Sequence, residues 1–325
     1  MSLPYTIDNH FIFGYNGIPF VEKQNYETDK FFCTYSRCSK QPESFKQECI
    51  NTANEVSSQA EQLDRTPYLF LSGGLDSEVV VKAFIDAGVD FKVISFRFKN
   101  NFSSHETYYI NKFIKKHNLE HKYYDIDSDW LLTSNAEEYL YQSQCSQSEM
   151  LPHMKLIKHV WDNLNGFPVL GNGDLYVSKD ISIDWIFDKT KPKYQWNYIE
   201  YEYILAWNRF AVKNKILGCM GFFMHNPEIV LAMIQDPDMH KCIYNEIPHK
   251  MSSRSTKTVV YIKSWNDLEP RLKFHGSEQL SGRCMELNKI YSKKFRTTST
   301  WEMPIKQFEE ILEAVPLFSK LYNTT

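Results

Sequence analysis

The stretch Tyr68-Leu69-Phe70-Leu71-Ser72-Gly73-Gly74-Leu75-Asp76-Ser77 limits what this chain can fold into more than any other. A short apolar run stops abruptly in Ser-Gly-Gly. An acid and a hydroxyl follow, and then Val79, Val80, Ala83, Phe84 and Ala87 recur at helical spacing. This pattern predicts a buried parallel strand, a tight loop and the N-terminus of a helix. Two adjacent glycines let the backbone approach a ligand closely and adopt φ > 0. The first-turn N–H groups and the helix dipole then face that ligand, which makes the spot an anion site. Ser72 and Ser77 add hydroxyl donors. Asp76 is a poor neighbour for a bare phosphate, but it suits one carrying Mg²⁺, a hard cation that takes oxygen ligands. The plainer alternative is an ordinary strand–loop–helix turn with Asp76 or Ser77 as N-cap. The full string SGGLDS, placed between a strand and a helix, favours nucleotide binding.

The rest of the composition narrows the class. The chain has 325 residues, 42% hydrophobic and 15% aromatic, enough for a sizeable core in one large domain or two smaller ones. A net charge of -3 and a pI near 6.4 supply no excess positive field, so nucleic acid is disfavoured as the main partner. The apolar runs fall short of a membrane span and no secretory leader pattern opens the sequence, so a soluble cytoplasmic protein with no membrane partner is expected. The seven cysteines form no C-x-x-C pair, and the closest spacing, Cys33 to Cys38, matches no usual zinc hook. Free, partly buried thiols are expected.

The elements can be read in order. Phe11 to Phe20 carries an Asn16-Gly17 pair that suggests a β-hairpin, with an irregular surface wrap as the alternative. Ser44 to Leu63 reads as a polar helix with Phe45, Cys49, Ala53, Val56 and Ala60 on one face. The helix after the glycine loop should end near Gly88. Phe91 to Phe98 reads as a second strand, and Ser103 with Glu106 as a capping box opening the next helix. Lys122 to Ile126 is a third strand. A helix from Met150 to Leu164 leads to a short fourth strand, Phe167 to Leu170. This alternation predicts an α/β fold, a Rossmann-like parallel sheet with right-handed crossovers. Ligands in such sheets bind at the carboxyl ends of the strands. The loops after Leu71, Phe98 and Leu170 should therefore line one crevice. The last of them, Gly171-Asn172-Gly173-Asp174, is a second glycine-rich turn, and Asp174 with Asp76 forms a candidate metal pair.

Beyond about residue 180 aromatics crowd in: Trp185, Phe187, Tyr194, Trp196, Tyr198, Tyr201, Tyr203 and Trp207. Val212 to Met233 and Met303 to Tyr322 look helical. A mainly helical C-terminal half is expected, with these rings as core and interface because no basic stripe accompanies them. The organisation expected is an N-terminal extension and helix (1–62), an α/β nucleotide-binding domain (63–180) and an aromatic-rich region completing the site (181–325).

SGGLDS resembles the PP-loop of the ATP pyrophosphatase superfamily, and residues 44 to 290 are most similar to the synthetase half of asparagine synthetase. The resemblance implies ATP and Mg²⁺ as cofactors. It places the pyrophosphate on Leu71, Ser72, Gly73, Gly74, Leu75 and Ser77, with Asp76 holding the metal. It sets the adenine near Phe96 and Phe98. Glu106 and His121 resemble a family Glu and His that follow the second strand. Gly171, Gly173 and Asp174 resemble the family's pyrophosphate loop. Met224 to Glu228 resemble its PFLD-P-E segment. Lys257 resembles its catalytic lysine, and Arg271 to Gly276, with Lys273 on the nucleotide, resemble its R-x-K-x-G.

The implied activity is an AMP-forming ligase: a substrate carboxylate is adenylated with release of pyrophosphate, then an amine forms an amide. The partners implied are a small carboxylate, an amine, and a separate ammonia-supplying protein. The glutaminase half of the family needs an N-terminal Cys, and here residue 2 is Ser2, with about seventy residues before the loop. Asn172, Leu175 and Asn226 stand where the family has acids, which puts aspartate in doubt as the substrate. Two alternatives stand beside this reading: a PP-loop enzyme acting on a nucleobase or nucleic acid, and a non-catalytic nucleotide-binding protein derived from a synthetase.

Overall fold

A computed structural model describes residues 10–19, 23–25, 27–99, 103–173, 175–191, 193–243, 253–271, 285, 288–295 and 299–313. The predicted hairpin forms: β1 (Phe11–Tyr15) turns through Asn16-Gly17 into β2 (Ile18–Pro19), and β3 (Phe31–Tyr35) pairs with the other edge of β1. Then α1 (Phe45–Gln62) starts at Ser44, whose hydroxyl accepts from the Gln47 N–H.

The central sheet comprises β4 (Thr66–Phe70), β5 (Lys92–Phe98), β6 (His121–Ile126) and β7 (Gly166–Val169), in the order β6-β5-β4-β7 and all parallel. The crossovers are α2 (Leu75–Ala87), α3 (Ser104–His117), and the pair α4 (Ser134–Ser143) and α5 (Leu151–Asn163). Tyr68, Leu69, Phe70 and Leu71 point alternately to opposite faces, yet all four are buried. Both faces of the sheet are therefore covered, as parallel strands require. The strand order reverses between β4 and β7, so the crevice opens above the first strand, where the glycine loop begins. The predicted capping box does not form. Ser103 precedes α3, but its hydroxyl accepts from the Phe98 N–H at 3.1 Å and ties the helix start to the end of β5.

The second half holds helices and also a sheet that helical periodicity conceals. β8 (Val177–Ile181), α6 (Ile183–Phe187) and β9 (Tyr194–Tyr201) are followed by α7 (Ile204–Lys213). β10 (Thr300–Pro304) pairs antiparallel with β9, giving the order β10-β9-β8. Along β9 burial alternates: Trp196, Tyr198 and Glu200 face inward. Tyr198 stacks on Phe308 at 4.1 Å and meets Tyr35 of β3 edge-on at 5.6 Å, which joins this sheet to the N-terminal one. A buried pair, Lys23 with Glu202 at 3.0 Å, makes the same connection, and the Tyr15 hydroxyl donates to Glu202.

The helix expected over Val212 to Met233 is interrupted. α7 stops at Lys213 and α8 (Pro227–Gln235) begins at a proline. Between them the chain lies along the end of β7. Leu170 N–H donates to Cys219 O at 2.8 Å, and Phe222 N–H donates to Leu170 O at 2.9 Å. α9 (Pro237–Ile243) and α10 (Ser253–Ser264) follow. The helix expected from Met303 starts two residues later, as α11 (Ile305–Leu312), because β10 takes the chain through Pro304. The remainder of that expected helix lies outside the described residues.

Cys33, Cys38, Cys49, Cys145 and Cys219 are free and buried. Burial pushes the Cys145 thiol up to about 12, so it is unreactive at neutral pH. Among the described residues no helix is long and apolar enough to cross a membrane.

Candidate nucleotide and acceptor site

The loop after β4 is drawn tight by its own hydroxyls. Ser77 Oγ accepts from the Ser72 N–H at 3.1 Å and donates to Gly74 O at 2.8 Å. The Ser77 hydroxyl, expected to face a ligand, is thus used within the loop. Gly73 has φ +78°, and a Cβ there would lie 2.9 Å from Glu106 O, so a residue without a side chain is needed on both counts. Gly74 occupies the N-cap of α2, with no side-chain hydrogen bond closing the helix end. The plainer reading of Asp76 or Ser77 as N-cap therefore fails. The open N–H groups of the first turn remain as an anion cradle.

Asp76 looks across the cleft instead. Its Oδ1 accepts from Lys257 Nζ at 2.8 Å and from the Tyr261 hydroxyl at 2.9 Å. Lys257 and Tyr261 are four residues apart on α10 and so share a face. Tyr261 is fully buried and stacks on Phe45 at 5.6 Å and Phe223 at 5.9 Å, which fixes its hydroxyl. Lys257 was implied by family resemblance. Tyr261 was not singled out, although the i, i+4 spacing from Lys257 signals it.

Arg271 approaches from another side. Its Nε and Nη2 donate to Gly73 O at 3.0 and 2.6 Å, and its Nη2 and Nη1 donate to the Glu78 carboxylate at 2.6 and 3.2 Å. Burial raises the Glu78 pKa, and the guanidinium opposes that shift.

The second glycine loop touches the first. A Cβ on Gly171 would lie 3.1 Å from Ser77 Cα. Gly173 has φ +80°, and a Cβ there would meet Met224 Cγ at 2.0 Å, so the Met224 segment supports this loop. Asn172 Nδ2 is buried and has no hydrogen-bond partner among the described residues. Asp174, the second candidate metal ligand, and Lys273 lie outside the described residues.

Other expected site residues stand elsewhere. His121 hydrogen-bonds Ser95 Oγ at 3.0 Å and does not line the cleft. Burial, aided by Arg97, lowers its pKa to about 4. Glu228 accepts from the Ser39 N–H and hydroxyl at 2.6 and 2.8 Å, and so secures the N-terminal segment. Asn226 donates to Thr52 and Glu55 on α1.

Together the loops bound a cleft of about 1090 Å³ that Leu71 to Ser77, Phe96, Phe98, Gly171, Gly173 and Lys257 all line. An arc of rings lines the same cleft. Tyr176, Tyr201, Tyr203, Trp207, His153, Phe96 and Phe98 follow one another at centroid spacings of 5.3, 5.4, 6.3, 6.3, 5.0 and 5.8 Å. Four of these seven come from the aromatic-rich stretch and its approach, so part of that stretch faces the cleft while Trp196 and Tyr198 form core. Trp207 Nε1 and His153 Nδ1 are buried without a hydrogen-bond partner among the described residues, and burial lowers the His153 pKa to about 4. Glu149 and Glu200 also line the cleft. Asn288 Nδ2 donates to both oxygens of Glu149 at 3.0 Å. Among the described lining residues the lysine and arginine cations are Lys257 and Arg271, both beside the glycine loop.

The family model described as "Queuosine biosynthesis protein QueC" matches residues 68–154. That span runs from β4 to the first turn of α5 and includes the glycine loop, Phe96, Phe98 and His153. Among solved structures, NMN synthetase from Francisella tularensis matches with a TM-score of 0.33 at 14% identity, covering 84% of this chain and 99% of that one. The U34-tRNA thiolase NcsA from Methanococcus maripaludis, with its 4Fe-4S cluster, matches with a TM-score of 0.32 at 15% identity, covering 78% and 80%. A search of curated proteins finds no significant match. The family-model match, over the segment that carries the loop, supports the PP-loop ATP pyrophosphatase superfamily. None of these three is an asparagine synthetase.

Proposed function

We propose that this chain is an ATP-dependent, AMP-forming enzyme. It adenylates an oxygen of an acceptor, releases pyrophosphate, and then lets a nitrogen nucleophile displace AMP. One observation carries the reading: the open N-terminus of α2, the Gly73 turn and the Asp76–Lys257 pair all face one cleft.

Asp76 supplies one carboxylate, which fits Mg²⁺, an ion usually held by one or two carboxylates together with substrate phosphates. Bound there with ATP, it offsets charge on the phosphates. The first-turn N–H groups of α2 hold the β- and γ-phosphates. Phe96 and Phe98 bracket the adenine at the end of β5. The acceptor oxygen attacks the α-phosphorus, the bond to the bridging oxygen breaks, and that oxygen leaves with the electron pair as pyrophosphate. Lys257, at the cradle's mouth, faces the charge that develops on the leaving group. Catalysis is positioning and electrostatics. In the second step the nitrogen attacks the activated carbon, AMP departs with the bonding pair, and the nitrogen's proton passes to water.

The chemistry of the cleft bears on the acceptor. A small dicarboxylic amino acid needs a cation for its far carboxylate. Outside the glycine loop, the described lining instead includes Glu149, Glu200 and the ring arc. That lining favours a flat acceptor of the nucleobase kind, stacked on one of the rings Tyr203 and Trp207 and meeting the other edge-on, as the two rings meet each other. The amide-forming ligase is kept as the second reading, because Lys257, which resembles that family's catalytic lysine, reaches the glycine loop at Asp76.

The experiment is exchange of radiolabelled pyrophosphate into ATP, run against panels of free heterocycles and of small carboxylates. The expected result is exchange with a heterocycle, lost in Asp76→Ala. Exchange with carboxylates alone selects the second reading. Release of ADP and phosphate, or ATP binding without exchange across both panels, overturns the proposal.

A further inference from the structure

Arg271 makes more contacts with the loop than a phosphate ligand needs. Its guanidinium spends Nε and Nη2 on Gly73 O, and both Nη atoms on Glu78. Its carbon centre lies 4.5 Å from the Tyr109 ring centroid. Both side chains of the ion pair are nearly buried, at 9% and 5% exposure. The Gly73 backbone is also confined on another side, by the Glu106 backbone.

We infer that Arg271 is a positioning residue, clamping the Gly73–Gly74 peptide so that its N–H is aimed for the pyrophosphate, with Glu78 as the strut that holds the clamp. In a trans peptide the C=O and the following N–H point in opposite directions. Fixing Gly73 O therefore fixes the direction of the Gly74 N–H. That N–H makes only a 3.4 Å contact with Ser72 Oγ, which an anionic oxygen improves upon. The guanidinium has a second effect. Glu78 lies in the first turn of α2, beside the cradle, and its negative charge opposes an incoming pyrophosphate unless it is neutralised. A planar fork serves the carbonyl and the carboxylate together in a fixed geometry, whereas an ammonium on a flexible stem lacks that fixed fork and holds the pair less firmly.

The inference rests on the nucleotide reading above, and its test separates the two. Binding of magnesium pyrophosphate and of adenosine is measured by calorimetry for the native chain, Arg271→Lys and Arg271→Gln. Amide hydrogen exchange over residues 72–77 is measured without ligand for these proteins and for Glu78→Gln. A clamp predicts that both Arg271 variants lose about tenfold or more in pyrophosphate affinity, the value of a charge-assisted hydrogen bond, and keep adenosine affinity. It also predicts faster ligand-free exchange in the loop for all three variants. A direct phosphate ligand predicts the opposite: Arg271→Lys retains pyrophosphate affinity and loop exchange is native. That outcome overturns the clamp. Failure of the native chain to bind pyrophosphate sinks the nucleotide reading, and loop exchange then decides the clamp alone.

Discussion

The two walls of the cleft are made by different means. The glycine-loop wall is one contiguous string, Leu71 to Ser77, whose backbone is the proposed phosphate cradle and whose hydroxyls hold its shape. The ring wall is assembled from separate segments: Phe96 and Phe98 on β5, His153 on α5, Tyr176 before β8, Tyr201 at the end of β9 with Tyr203 just after it, and Trp207 on α7. A backbone cradle suits what every nucleotide phosphate shares. A wall of side chains drawn from five places can change one residue at a time without disturbing the cradle. On the proposed reading the phosphates fall to the loop, the adenine to the Phe96–Phe98 end of the arc and the acceptor to its Tyr203–Trp207 end, so substitutions at the loop and at that far end of the arc should move different kinetic constants.

Asp76→Asn should have the largest effect. It keeps the shape but removes the charge that Lys257 Nζ meets at 2.8 Å and that a metal–phosphate complex requires. Pyrophosphate exchange is expected to fall by about a thousandfold, comparable to removing a principal electrostatic group from an active site. Exchange within tenfold of native would remove Asp76 from the mechanism.

Gly73→Ala tests the cradle's backbone. The substitution puts a side chain at φ +78°, at a cost of about 1–2 kcal/mol, and drives its Cβ to 2.9 Å from Glu106 O. The loop must shift, so pyrophosphate affinity should drop by about a hundredfold while adenosine affinity changes little. Equal losses of both ligands would mean that the two walls are one mechanical unit.

This asymmetry also explains what was legible in advance. The strand, the loop and α2 were readable because strand, glycine pair and helix start are local signals within about twenty residues. The Asn16-Gly17 hairpin was readable for the same reason. The arc was not. Tyr201, Tyr203 and Trp207 carry the same composition signal as Trp196 and Tyr198; the end of β9 and the start of α7, which carry the first three to the cleft, are set by the pairing of β9 with β8 and β10 and not by any local spacing of rings. Arg271 was likewise implied only as part of a weak motif. Its partners Gly73 and Glu78 are about two hundred residues away in sequence, so no local spacing could pair them. The interruption at 214–226 is signalled locally only by Gly218, Gly221 and Pro227, while the pairing of Cys219 with β7 that fixes its path is a tertiary choice.

Acid should weaken the ring wall. His153 has its pKa lowered to about 4 by burial, against 6.5 when exposed. The folded state disfavours the imidazolium, so the unfolded chain binds more protons between these values. Stability from this site is complete above about pH 6.5 and declines as pH falls toward 4, by up to about 3 kcal/mol. His121, on β6 and lowered to about 4 by burial and Arg97, acts in the same window. His153→Phe should flatten part of the acid limb of a stability–pH curve measured by urea unfolding. An unchanged limb would assign it to His121 and the carboxylates.

The smallest effect is the most specific. Trp207 is 6% exposed, its ring lies in the arc, and its Nε1 has no partner among the described residues. A buried donor left unmet costs about 1–3 kcal/mol, so an acceptor that supplies an oxygen or ring nitrogen there recovers that cost on binding. Trp207→Phe keeps an aromatic face and deletes the donor. If the acceptor is read by a hydrogen bond as well as by stacking, its KM should rise about fivefold to tenfold, while the KM for ATP stays native. If stacking alone holds it, Trp207→Phe should be nearly silent and Trp207→Ala should raise the acceptor KM about tenfold. A rise in the KM for ATP in either variant would erase the division between the walls, because it would place Trp207 on the nucleotide side of the arc, next to His153 and Phe96.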